Sequence, residues 1–231
     1  MLLENTSVIL KRISHAAMRA GRNPEEIKLI AVTKTVKEDT IRKAADIGLR
    51  IFGENRVQEA QSKIQSLKEY FIKCHFNVQW HLIGHLQKNK VKVAVQLFDL
   101  IHTLDSLELA EEINKHAERT NKIQKVLIQV KLSDEETKHG ITEEGLSRLL
   151  DGIKSLKYIE LLGLMTMPPY FQNPEDVRPY FRRLREIRDI INKEGYYLPE
   201  LSMGMSNDFQ LAIEEGATLV RIGTAIFGER Q

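Results

Sequence analysis

The chain has 231 residues, 42% of them hydrophobic and 29% charged, which excludes a disordered or fibrous chain and allows one sizeable core. Its 34 Lys and Arg against 32 Asp and Glu leave a net charge of +2, so no global polycation argues for nucleic acid or a membrane surface. The one cysteine, Cys74, excludes an intrachain disulfide and a multi-cysteine metal site, and it fits a reducing, cytoplasmic compartment.

Glu4, Lys11 and Arg12 interrupt the stretch where a signal peptide needs an apolar core, so the N-terminus reads as mature structure. No stretch approaches about 18 consecutive apolar residues, and no transmembrane helix is expected. Leu3, Ile9, Leu10, Ile13 and Ala17 recur at helical spacing and predict an amphipathic helix over 2–20, stopped by Gly21 and turned at Asn23-Pro24. A short apolar run at 27–34 then predicts a buried strand, followed by a helix to Ile47. The alternation continues with strands at 49–53, 78–84, 98–104, 125–132, 158–167, 198–204 and 218–223. Helices over 56–70, 86–96, 106–119, 142–153, 174–194 and 207–215 separate them, and AIFGER closes the chain.

Alternating strands and helices predict an α/β protein with a parallel sheet. Eight such units in 231 residues match a closed (β/α)8 TIM barrel with an extra N-terminal helix. A doubly wound open sheet would need no eighth unit. No glycine- or serine-rich linker divides the units, and the polar loop at 133–140 lies inside the pattern, so one domain is expected over 1–231.

The active face of such a barrel lies at the C-terminal ends of its strands. The residues there include Lys34, Glu54, Asn55, His81, His85, His102, Lys131, Thr166, Ser202, Ser206, Arg221, Gly223 and Thr224, a polar and rather cationic rim. SMGMSND (202–208) and RIGTAIFG (221–228) each run from a strand end through glycine and hydroxyl residues into a helix. Backbone N–H groups at helix starts attract anions, and the loops after strands seven and eight are the usual phosphate cup of this fold. The plainer reading makes Ser206 or Asn207 a helix cap and Gly223 a turn.

Lys34 ends an otherwise apolar strand. A partly desolvated lysine there has a lowered pKa and can attack a carbonyl; the plainer reading is a snorkelling side chain. Facing a phosphate cup, it describes a phosphorylated aldehyde or ketone held as a Schiff base. Arg221 stays protonated. Opposite a pyridine nitrogen it would disfavour protonation there; the commoner use of arginine is a phosphate or carboxylate clamp. His81 and His85 stand four apart but not on one helical face, and no metal site is expected. KNKVK (88–92) reads as a solvated helix face and Cys74 as inert.

Taken together, AVTKTV (31–36), FGENRVQE (52–59), WHLIGHLQKNK (80–90), HTLDS (102–106), GLMTM (163–167) and the stretch 202–230 appear in a set order. In them the sequence resembles the pyridoxal-phosphate homeostasis proteins, single-domain relatives of the alanine racemase barrel. The resemblance implies pyridoxal 5'-phosphate as cofactor, with Lys34 forming the internal aldimine. It implies Ser206, Gly223 and Thr224 around the phosphate, Arg221 near the pyridine nitrogen and Asn55 near the cofactor. It also implies a protein that carries or buffers the cofactor for other enzymes, with no established reaction of its own; a monomer is expected, with apo forms of pyridoxal-phosphate enzymes as candidate partners.

Two alternatives are a low-efficiency amino-acid racemase and, more remotely, a Schiff-base aldolase. Racemisation needs acid and base groups on both faces of the substrate carbon. A chain that stops at Gln231 after its eighth unit is expected to lack a second domain to supply one. The tyrosines, Tyr70, Tyr158, Tyr170, Tyr180, Tyr196 and Tyr197, all lie far from Lys34 along the sequence.

Overall fold

A computed structural model describes residues 1–133, 135 and 139–228. The loop at 133–140 is therefore described only in part, and the end of the AIFGER segment lies outside the described residues. The strands are β1 (Lys28–Val32), β2 (Ile51–Glu54), β3 (Gln79–Leu82), β4 (Leu100–Leu104), β5 (Gln124–Gln129), β6 (Ile159–Met165), β7 (Glu200–Ser202) and β8 (Leu219–Ile222). Each pairs in parallel with the next, and β8 returns to β1 with Lys28 opposite Leu219 and Ile30 opposite Arg221. The sheet is a closed eight-stranded barrel.

Nine α-helices occur among the described residues: α1 (Leu2–Arg19), α2 (Glu38–Asp46), α3 (Val57–Lys73), α4 (Val91–Leu97), α5 (Leu107–Arg119), α6 (Glu143–Ile153), α7 (Arg178–Lys193), α8 (Phe209–Glu214) and α9 (Thr224–Phe227). The helix expected over 174–194 opens as a 3-10 turn at Pro174–Val177 before α7, since proline suits a first turn and cannot donate within a helix.

Both faces of every strand are covered, so side-chain parity sorts two layers rather than core from solvent. One layer packs the outer sheet face against the helices, around residues such as Phe52, Leu82, Ile101 and Val220. The other fills the barrel with Ile30, Leu100, Leu127, Met165 and Leu219. Strand side chains alternate with a period of two. Leu219 faces inward, and so do Arg221 and Gly223 two and four residues on.

The additional helix α1 crosses the ends of α8 and α9. Asn5 donates to the Ile226 carbonyl at 3.1 Å, and Arg12 donates to Gln210 at 2.6 Å and lies over the Phe209 ring. Arg22, beyond the end of α1, donates to the Ile213 and Ala217 carbonyls, both at 2.8 Å. One carbonyl lies in the last turn of α8 and the other in the connection from α8 to β8, so Arg22 ties that connection to the end of α1.

Candidate functional site

Lys34 stands two residues past β1, not on the strand itself, in the turn Thr33-Lys34-Thr35. The turn is closed by the Val36 N–H on the Thr33 carbonyl at 2.9 Å. Thr35 has φ 64°, a left-handed conformation that a β-branched residue rarely adopts without support. The support comes from α3. Glu59 accepts the Thr35 N–H at 2.6 Å, and Lys63 donates to the Thr33 carbonyl at 2.6 Å. Lys63 also pairs with Glu59 at 2.6 Å and with Glu54 at 2.9 Å, and Glu54 accepts the Thr33 hydroxyl at 2.6 Å.

Glu54 was expected on the rim, but it is fully buried between the sheet and α3. Burial pushes its carboxyl up, against the pull of Thr33 and Lys63. Burial also works against Glu59, yet Lys63 and the Thr35 N–H hold that carboxyl below its ordinary value. Lys63 had no place in the sequence reading. Its one signal was a lysine on the inward stripe of α3, beside Ala60 and Leu67 and four residues after Glu59.

His81, His102 and Ser202 were also expected at the rim, and all three are buried within the barrel. They form a line with Arg221. The Arg221 Nη1 donates to Ser202 Oγ at 2.6 Å, Ser202 Oγ lies 2.8 Å from His102 Nδ1, and His102 Nε2 lies 3.1 Å from His81 Nδ1. A second Arg221 bond runs from Nη2 to the Thr166 carbonyl at 3.0 Å. Burial lowers Arg221 to about 10, with Asp208 opposing, so it stays charged at neutral pH. Burial lowers His81 to about 3, helped by Lys28, and holds His102 well below its ordinary value.

Above this line the barrel mouth opens into a cavity of about 550 Å³, within the size range of small-molecule sites. Lys34, Asn55, Ser206, Arg221, Gly223 and Thr224 all line it. Neither Ser206 nor Asn207 caps a helix. Residues 206–208 form a turn, α8 begins at Phe209, and Asp208 Oδ1 accepts the Met205 N–H at 2.6 Å. The Ser206 hydroxyl instead lies 3.3 Å from the Thr224 hydroxyl. No side chain caps α9, whose first turn begins at Thr224.

The cavity wall also carries His85, expected on the rim, with His139 beside it, and Tyr170, which its distance in sequence had set apart from Lys34. His85, paired on paper with His81, is separated from it and stacks on His139 with ring centroids 4.0 Å apart and planes 11° apart. Asp105 lies 3.5 Å from His85. The parallel rings point their lone pairs along parallel planes, so they do not converge on one ion as they stand. Tyr170, in the stretch after β6, also lines the cavity despite its distance from Lys34 in sequence.

A parallel eight-stranded barrel with a rim lysine and an inward arginine on its last strand defines the alanine racemase-like class. The family described as "Alanine racemase, N-terminal domain" matches residues 8–231. The chain is 50% identical over 229 residues to the pyridoxal phosphate homeostasis protein of Aquifex aeolicus, covering 99% of this chain and 98% of that one. It is 39% identical to the protein of that name in Escherichia coli K12, covering 99% and 97%. The solved structure of PipY from Synechococcus elongatus with PLP bound superposes with a TM-score of 0.86 at 34% identity, covering 99% and 100%. The chain belongs to the pyridoxal phosphate homeostasis protein family.

Proposed function

We propose that this protein binds pyridoxal 5'-phosphate in the barrel-mouth cavity and carries or buffers it. The observation that carries the reading is one cavity lined by a lysine amine, a charged buried arginine and two adjacent hydroxyls. A relative at 34% identity has a structure with PLP bound. The residues fit the group. Ser206, Gly223 and Thr224 offer hydroxyls and an uncapped helix start to a phosphate, and among the described residues Arg221 spends two of its five N–H donors on protein.

When bound, the cofactor supplies an aldehyde for covalent attachment and a ring that accepts electron density. Lys34 would hold the group through its side-chain amine, the nucleophile that the cavity offers to an aldehyde. Arg221, a buried cation on the cavity wall, would hold the ring-nitrogen end of the group and disfavour a proton there, which would make the ring a poor electron sink. Asn55, just past the end of β2, lines the same cavity and would border the group. These roles favour storage over rapid turnover. In this reading the chain is one domain and a monomer, resides in the cytoplasm and hands the cofactor to apo enzymes. Among the described residues no helix is long and apolar enough to cross a membrane.

Titration with pyridoxal phosphate and with pyridoxal tests the reading. Binding of the phosphorylated form is expected to be tighter by at least about a hundredfold, as charge-assisted bonds to phosphate are lost without it. Equal affinity would refute the cup. Tyr170 keeps a second reading in view, a slow amino-acid racemase with the tyrosine as a proton donor. Formation of D-isomer at about 1 per second or faster, abolished by Tyr170→Phe, would establish that reading in place of the carrier.

A further inference from the structure

The line of buried polar groups below Arg221 belongs to no contact with the cavity. His81, His102 and Ser202 do not line it, and all three are 3% exposed or less. Polar groups placed in a barrel that could have been filled with leucine call for a reason. We infer that Ser202, His102 and His81 are positioning residues for Arg221, a one-way hydrogen-bond chain that fixes its charge toward the cavity and thereby keeps the cofactor's ring nitrogen unprotonated. The inference rests on the proposed placement of that ring against Arg221.

Direction in the chain follows from the chemistry of its members. Arginine can only donate, so Ser202 Oγ accepts from Nη1. Among the described residues the other partner of that hydroxyl is His102 Nδ1, so the serine proton goes there and Nδ1 carries none. His102 then holds its proton on Nε2 and donates it to His81 Nδ1. Both tautomers are assigned from the network. In a chain of the opposite sense Ser202 Oγ would accept from both neighbours and leave its own proton without a partner among the described residues.

A neutral hydroxyl satisfies Nη1 without neutralising the charge, as a carboxylate would. The acid that acts on Arg221 is Asp208, in the turn before α8. Lys34 lines the same cavity. At the foot of the barrel Lys28 faces His81 and is paired with Glu200. Cations thus stand at both ends of the chain, and both imidazoles stay neutral between them. The Thr166 carbonyl holds the second guanidinium nitrogen, and among the described residues the remaining N–H groups are left for a ligand.

The test uses the full-length holo-protein, with Ser202→Ala, Ser202→Thr and His81→Asn compared with wild type. The bound cofactor's visible band is recorded from about pH 5 to about pH 8.5, and the site of attachment is mapped by borohydride reduction. The wild-type band is expected to hold its position across this range. In Ser202→Ala a titration should appear within it, and cofactor affinity should fall about tenfold, the loss of one buried hydrogen bond. Ser202→Thr, which keeps the hydroxyl, should restore both. His81→Asn, far from the cavity, should move the pH profile in the same direction as Ser202→Ala.

Unchanged pH profiles in both Ser202→Ala and His81→Asn, with Lys34 still labelled, would overturn this inference and leave the binding reading standing. An unlabelled Lys34 in wild type would overturn the binding reading itself.

Discussion

At the scale of single residues, Lys63 does the most to place Lys34 without touching the cavity. It bonds the Thr33 carbonyl, Glu54 and Glu59 at once and holds Thr35 in its left-handed turn through Glu59. The second Glu54 oxygen, Oε2, is buried without a hydrogen-bond partner, so removing Lys63 would leave a buried carboxylate with little compensation. Lys63→Met is expected to cost about 3 to 5 kcal/mol in urea denaturation. A cost below about 1 kcal/mol would contradict the clamp. The sequence made Lys34 legible, because a charge closing an apolar run stands out. It hid Lys63, because a lysine in a charged helix is ordinary until tertiary packing buries it.

The buried histidines predict a pH dependence with a definite sign. Their folded pKa values lie below the unfolded value near 6.5, His81 at about 3. The unfolded chain therefore takes protons first as pH falls. Stability from these groups is complete above about pH 6.5 and is lost below it, at about 1.4 kcal/mol per pH unit for each histidine. The raised carboxyl of Glu54 acts in the opposite sense, so single variants separate the contributions. Denaturation of His81→Asn between about pH 6 and about pH 4 should show a slope shallower than wild type by about 1.4 kcal/mol per unit. Equal slopes would mean that His81 is charged or solvated in the folded protein.

Among the elements, the short helices α8 and α9 and their preceding turns decide the geometry of the cup. Sequence placed them at the right loops through their glycines and hydroxyls, but it started the first helix two residues early. Asp208 is the reason, since its carboxylate takes the Met205 N–H and turns the chain before α8 begins. Strand ends were overrun in the same way. β7 was expected over 198–204 and spans Glu200–Ser202, because a ladder lasts only while both neighbours are in register, whereas an apolar run continues into the loop.

Two variants test these elements. Arg22→Ala removes the donor to the Ile213 carbonyl in the last turn of α8 and the Ala217 carbonyl before β8 and should cost about 1 to 3 kcal/mol in thermal or urea unfolding. At Gly223 an added Cβ would meet Val32 at 3.4 Å, ordinary contact, and its φ of −115° is open to any residue. Gly223→Ala is therefore expected to fold with stability within about 1 kcal/mol of wild type while binding pyridoxal phosphate more weakly. Lost stability with unchanged affinity would place the need for glycine in the fold instead of the cup.

Across the whole molecule, the repeat of eight strand–helix units was the most legible feature, since apolar runs and amphipathic stretches alternate with little interruption. What stayed hidden was the inside of the barrel. With both strand faces apolar, parity does not reveal which residues look inward, so His81, His102 and Ser202 read as rim positions when they are buried. Closure against β8 is what turns Arg221 toward the same cavity as Lys34. The central claim, that this cavity holds pyridoxal phosphate through Lys34, is tested most directly by borohydride reduction of the purified holo-protein followed by peptide mass mapping. The account predicts a reduced cofactor adduct on Lys34 and its absence from a folded Lys34→Ala variant. An adduct on another lysine with Lys34 unmodified, or an equal yield in Lys34→Ala, would contradict it.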